Sequence, residues 1–168
     1  MLARARATTD DARITYVQSA IEDISFAAGQ FDVVIRSLAL HYVGCFETVC
    51  QRVHHCLAAG AVFVFSVEHP IFTALAAQQW CLSPDGQRQH WPVDNYFQEG
   101  ARNTQWLTDN VIKYHRTTAT YVNALTGAGF SIRRLLEPEP LPEQLASHPD
   151  WKDEARRPMF LLILAAKR

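Results

Sequence analysis

Apolar positions along this chain follow two periods, one of strands and one of helices. Phe31, Val33, Val34 and Ile35 form a short β-branched run, apolar on both faces after Asp32, which predicts a parallel strand covered on both sides. Phe46, Val49, Cys50, Val53 and Leu57 then recur at spacings of three and four, so they share one helical face, with Gly60 placed to end the helix in a left-handed cap. Residues 61–67 (Ala-Val-Phe-Val-Phe-Ser-Val) predict a second buried strand. Strand, helix and strand at this spacing make a βαβ unit, hence a parallel sheet. Residues 118–125 predict a short helix closed by Gly127-Ala128-Gly129, residues 130–136 a strand, and residues 159–166 a final strand. The last two strands, joined by a connection marked by Pro138, Pro140 and Pro142, predict an antiparallel pair at one sheet edge. Upstream, residues 1–7 read as the end of a helix and residues 14–17 as a short strand.

Residues 71–117 break both periods. Trp80, Trp91, Tyr96, Trp106 and Tyr114 alternate there with Asp, Gly, Gln and Asn, the composition of an ordered insertion. An irregular stretch this long in a compact domain is usually functional, so it is expected to act as a lid on the substrate side of a single domain spanning 1–168.

Composition narrows the function classes. The formal net charge of −1 gives no reason to expect nucleic acid or an acidic membrane surface as partner. No apolar run approaches the roughly 20 residues of a membrane span, and no secretory core follows the arginine-rich start. The chain is long and apolar enough to do without disulfide staples, so Cys45, Cys50, Cys56 and Cys81 read as free thiols of a cytoplasmic protein. Cys45, Cys50, His54, His55 and Cys56 invite a zinc reading, but there is no paired CxxC and Cys50 belongs to the apolar stripe; no metal is expected.

Five stretches, in order, resemble the class I S-adenosylmethionine-dependent methyltransferases, in particular small-molecule enzymes similar to the ubiquinone and menaquinone methyltransferases. They are Ser19-Ala20-Ile21-Glu22-Asp23-Ile24, the run from Phe31 through Ser37-Leu38 to His41-Tyr42, Leu57-Ala58-Ala59-Gly60-Ala61, Ser66-Val67-Glu68-His69-Pro70, and Leu125-Thr126-Gly127-Ala128-Gly129-Phe130. The resemblance implies an α/β fold: a Rossmann-like, doubly wound, mostly parallel sheet with an antiparallel last strand. Its ligands would lie at the carboxyl ends of the strands. Matched to that family, residues 14–17 correspond to the third strand, 31–35 to the fourth and 62–67 to the fifth. The first two strands would then be missing, with the glycine-rich turn and the acidic residue that hold most of the donor. The glycines agree: the only close pair, Gly127 and Gly129, lies between a helix and a strand, whereas a cofactor turn lies between a strand and a helix.

The resemblance implies methyl transfer from S-adenosylmethionine to a small-molecule acceptor, with donor binding weakened or lost if the chain starts at Met1. The alternative is a methyltransferase-like partner subunit or gene fragment that does not bind the donor. Cofactor contacts are expected at Ala20, Ile21 and Glu22, beside the adenine, and at Ser37 and Leu38, facing the methionine part. Relatives often carry Asp where this chain has Ala20, which weakens adenine recognition. His41 and His69 each follow a strand that should point at the pocket, and either could take an acceptor's proton near neutral pH. Trp80, Trp91, Tyr96, Trp106, Tyr114, His115 and Arg116 are candidates to line the acceptor site, since flat side chains give large contact area at small entropy cost. With two strands missing, 31–35 becomes a sheet edge with unpaired amides and carbonyls, a route to self-association.

Overall fold

The computed structural model describes residues 2–9, 11–106 and 108–168. Helix α1 (Leu2–Thr8) is followed by irregular chain, a 3-10 turn at Ile21–Asp23, and strand β1 (Phe31–Arg36). A second 3-10 turn, Leu40–Tyr42, leads to α2 (Phe46–Cys56) and β2 (Leu57–Glu68). The insertion then holds α3 (Pro70–Thr73), a small hairpin of β3 (Cys81–Leu82) and β4 (Arg88–His90), and a longer hairpin of β5 (Gly100–Trp106) and β6 (Thr108–His115). Helix α4 (Thr118–Gly127), β7 (Phe130–Leu136), α5 (Pro142–Ser147), a 3-10 segment Pro149–Arg156 and β8 (Phe160–Lys167) complete the order.

The main sheet has the order β1-β2-β8-β7. β1 and β2 are parallel neighbours, with Val33 opposite Val62 and Arg36 opposite Phe65. β8 is antiparallel to both β2 and β7, so three strands share one direction and the last opposes them. The expected pair of final strands is present, with β8 inserted between β2 and the edge strand β7.

The core lies on one face of this sheet. Period-two alternation puts Phe63, Phe65 and Val67 against α2 and α4, and Phe46, Val49, Cys50 and Val53 of α2 meet them at 2% exposure or less. Phe46 and Tyr121 pack edge to face at 5.0 Å, a geometry worth about 0.5–1.5 kcal/mol beyond its buried area. Thr117 caps α4 by accepting the Thr120 amide at 3.1 Å.

Three expectations need correction. Residues 14–17 form no strand: Ile14 and Val17 are exposed at 47% and 59%, and a short β-branched run without a partner strand gains nothing from being extended. Gly60 does not cap α2, which ends at Cys56; it lies inside β2 at φ +76, where the stretch between Leu57 and Val62 bulges away from β1. β1 is not covered on both faces. Val33 and Ile35 are exposed at 50% and 69%, and Val62, Val64, Leu162 and Leu164 on the same side are only half-buried. Among the described residues β1 pairs with β2 alone.

Candidate functional site

The carboxyl ends of β1 and β2 open side by side, and the chain is strained where they do. Leu38, just beyond β1, sits at φ +47, a region costly for a branched residue. It is held there because its amide donates to the Ser66 carbonyl at 3.0 Å and to Ser66 Oγ at 3.1 Å, while Ser37 Oγ lies 3.4 Å from Ser66 Oγ. The turn that follows buries His41 at 2% exposure, and its Nδ1 accepts the Glu68 amide at 3.2 Å. Leu38, His41, Tyr42, Glu68, Phe72 and Met159 are among the walls of a cavity of about 380 Å³ at this end of the sheet.

Behind that cavity lies a closed polar triangle. Lys113 Nζ donates to Glu68 Oε1 at 2.6 Å and to Gln78 Oε1 at 3.1 Å, and Gln78 Nε2 donates to Glu68 Oε2 at 2.9 Å. The Lys113 side chain is 1% exposed and that of Glu68 12%. The insertion is thereby tied to the end of β2. Sequence reasoning missed Glu68, Gln78 and Lys113 as site residues. The usable signal was the alternation of β6, which puts Lys113 on the same buried face as His115.

The hydrogen bonds of His41 and His69 fix their tautomers. Burial pushes His41 down to about 4 against the opposing pull of Glu68, and its Nδ1 accepts a hydrogen bond, so at neutral pH the ring is uncharged with its proton on Nε2. His69 Nδ1 accepts the Ile71 amide at 3.1 Å, capping α3, and its Nε2 donates to Glu137 Oε1 at 2.8 Å. Burial lowers the His69 pKa, with Glu137 opposing. Both nitrogens of His69 are engaged in holding structure, which leaves none to take an acceptor's proton; His41 has no lone pair left to do so either. Because the folded His41 resists protonation, the unfolded chain gains its proton first as pH falls. Stability is therefore full above about 6.5 and falls from there towards 4, by about 3 kcal/mol from this residue. Urea midpoints measured between pH 7 and 4 are expected to drop less steeply in His41→Gln than in the parent chain.

The adenine-side candidates stand apart from this cavity. Ala20, Ile21 and Glu22 form and precede the 3-10 turn beside α2, where Ile21 packs on the core; none of the three walls the cavity. The insertion's aromatic residues are likewise used elsewhere. Trp80 and Trp91 enclose the Arg157 guanidinium at 5.3 and 4.1 Å from their ring centres, Phe72 stacks on Trp91 at 5.0 Å, and Trp91 Nε1 donates to the Ile71 carbonyl. Tyr96 accepts the Thr118 amide through its hydroxyl and the His115 Nε2 proton through its carbonyl. His115 Nδ1 accepts from Thr73 Oγ1 at 2.8 Å. Tyr114 lies against Gly44, and Arg116 donates to the carbonyls of Val43 and Gly44. Trp106 ends β5, and its side chain lies outside the described residues. The expected aromatic lining is thus largely the insertion's own small core, and Phe72, Gln78, Gln79, Met159 and Phe160 wall the cavity in its place.

Cys50 and Cys56 are buried in the core and all four thiols are free. Among the described residues no helix is long and apolar enough to cross a membrane. For a nucleoside sulfonium donor, Ser37 and the strained Leu38 supply one wall. Among the described residues no strand, glycine turn and helix stand beside them, and β1 presents a free edge where a further wall would be. These residues do not by themselves fit the whole donor.

The chain resembles known proteins along its full length. The methyltransferase domain family matches residues 1–65. A protein from Listeria monocytogenes assigned to the S-adenosylmethionine-dependent methyltransferases is 44% identical over all of this chain and 76% of its own, with a TM-score of 0.91. An S-adenosylmethionine-dependent methyltransferase from Mesorhizobium loti is 42% identical over 99% of this chain and 76% of its own, with a TM-score of 0.92. An uncharacterised Haemophilus influenzae protein is 37% identical over 138 residues, 82% of this chain, and the chain spans about half (54%) of that relative's length. With two relatives above 40% identity, each matched over three quarters of its length, and a sheet whose last strand alone opposes the rest, the chain belongs to the class I S-adenosylmethionine-dependent methyltransferases.

Proposed function

We propose that this chain carries the acceptor side of a small-molecule methyltransferase, in which the cavity between Leu38, His41, Glu68 and Met159 holds the molecule to be methylated. The observation that carries this reading is the strained Leu38 directly above that cavity, at the carboxyl end of a parallel strand, where open α/β sheets bind ligands. The donor would lie alongside Ser37 and Leu38 and would supply an activated methyl group. The chain's own part is to orient the acceptor: His41 offers a fixed N–H, Glu68 a fixed carboxylate, and the insertion at 71–117 excludes water from above. The exposed thiols of Cys45 and Cys81 suit a reducing, cytoplasmic setting.

A second reading, that of a partner subunit without donor binding, is favoured by one observation: the described residues supply only one wall for the donor. Thermal unfolding with the demethylated donor product separates the two. A ligand at about 100 times its dissociation constant adds about 2.7 kcal/mol of stability. A raised melting temperature supports the enzyme; an unmoved one at millimolar ligand leaves the partner subunit.

We also propose that the free edge of β1 pairs with the same edge of a second copy. Antiparallel pairing centred on Val34 sets Asp32 opposite Arg36 and Val33 opposite Ile35, and then repeats both pairs by symmetry.

A further inference from the structure

We infer that the cavity at the end of β2 selects a cationic amine as its ligand, held by the carboxylate of Glu68. The inference deepens the methyltransferase reading by naming the chemical class of the acceptor, and its test needs no donor.

Glu68 is the one ionised side chain among the described residues that wall this cavity, and it faces inward in a particular way. Its counter-charge, Lys113, is 1% exposed and is not among the cavity's walls, whereas the Glu68 side chain keeps 12% exposure and is one of them. A ligand therefore meets the negative end of the pair first. A carboxylate only accepts hydrogen bonds, and Lys113 and Gln78 engage one oxygen each, which leaves acceptor capacity on both. What fills it must be an N–H or O–H donor. The opposite wall adds no positive charge, since His41 is neutral at physiological pH. The ring of Tyr42 beside it offers an aromatic surface to a cation.

The space beyond points the same way. Met159 and Phe160 also wall a second cavity of about 670 Å³, so the two chambers adjoin. The outer one is lined by the carboxylates of Glu139 and Asp150, by Glu154, which is paired with Arg157 at 2.9 Å, by Trp151, and by one cation, Arg88, which is paired with Asp153 at 3.2 Å. A positively charged molecule gains Coulomb energy beside Glu139 and Asp150, and an anion loses it there.

Benzylamine, benzyl alcohol and benzoate share one ring and differ in the charge of the group they present. Titrating each into the full chain while following amide resonances tests the inference. Benzylamine is expected to perturb the amides of Leu38, Glu68 and Gln78 and to bind at least about tenfold more tightly than benzyl alcohol, with no binding by benzoate. Glu68→Gln is expected to remove that tenfold preference, weakening benzylamine more than benzyl alcohol. Equal or tighter binding of benzoate or benzyl alcohol, perturbations confined to another part of the chain, or no binding of benzylamine at about 10 mM would each overturn it. Should Glu68→Gln fail to fold, the three-probe comparison on the parent chain still decides. A donor that fails to stabilise the chain would sink the enzyme reading and leave this result standing.

Discussion

Replacing Lys113 with methionine is expected to lower the unfolding free energy by about 3–5 kcal/mol, which is among the largest losses a single substitution here can cause. The cause is what stays behind. Without the ammonium, Glu68, whose side chain is 12% exposed, keeps its carboxylate bonded to Gln78 alone within the triangle. An uncompensated buried charge costs more than the pair ever contributed, because the desolvation penalty was met only by the partner's attraction. The double variant Glu68→Gln/Lys113→Met removes both charges and is expected to recover most of the loss. Urea unfolding of the two single variants and the double variant measures the coupling directly. Additive effects would show that Lys113 stabilises by packing its stem and not by facing Glu68.

The second large effect concerns association. In a pairing of two β1 edges centred on Val34, Asp32 of one copy stands across from Arg36 of the other, twice over. Opposite charges at such positions contribute about 0.2–1 kcal/mol each and like charges oppose pairing by similar amounts. Asp32→Arg turns two attractions into two repulsions, so dimerisation measured by sedimentation is expected to weaken by about tenfold or more. Arg36→Asp should do the same, and the double exchange should restore the parent affinity, since it regenerates the same pairs with the signs reversed. Both residues are exposed, so the monomer's fold is not at stake. A chain that stays monomeric at high concentration, or a double exchange that fails to rescue, rules out this register.

Periodicity made the frame legible. Strands at 31–36, 130–136 and 160–167 and the apolar stripe of α2 lie close to where their patterns place them, because burial against one neighbour imposes those patterns directly. The resemblance gave the antiparallel sense of the last strand but not its place, and local pattern does not say that β8 inserts between β2 and β7. The short run at 14–17 misled because β propensity is a fit to neighbouring strands, and among the described residues there is none beside it. The insertion's aromatic residues misled for a related reason. Aromatic content reports that something will be buried, not which cavity it will face, and Trp80 and Trp91 close on Arg157. Glu68 and Lys113 are 45 positions apart, and each looks alone like a solvated charge. Only the fold of the β5–β6 hairpin over the sheet end makes them a pair.

His69 fastens three strand ends at one point. Its own residue follows β2, its amide donates to the Met159 carbonyl just ahead of β8, and its ring donates to Glu137 just after β7. The segment from 138 to 158 therefore leaves and returns through anchored posts, and it provides most of the outer chamber's lining. Its part ahead of Asp153 can be exchanged or lengthened at little cost to the scaffold, whereas Asp153, Arg156 and Arg157 are tied to Arg88, Trp80 and Trp91 and have to stay. Descendants of this fold could thus acquire new molecular tastes by grafting one stretch of chain, leaving the machinery at the ends of β1 and β2 untouched.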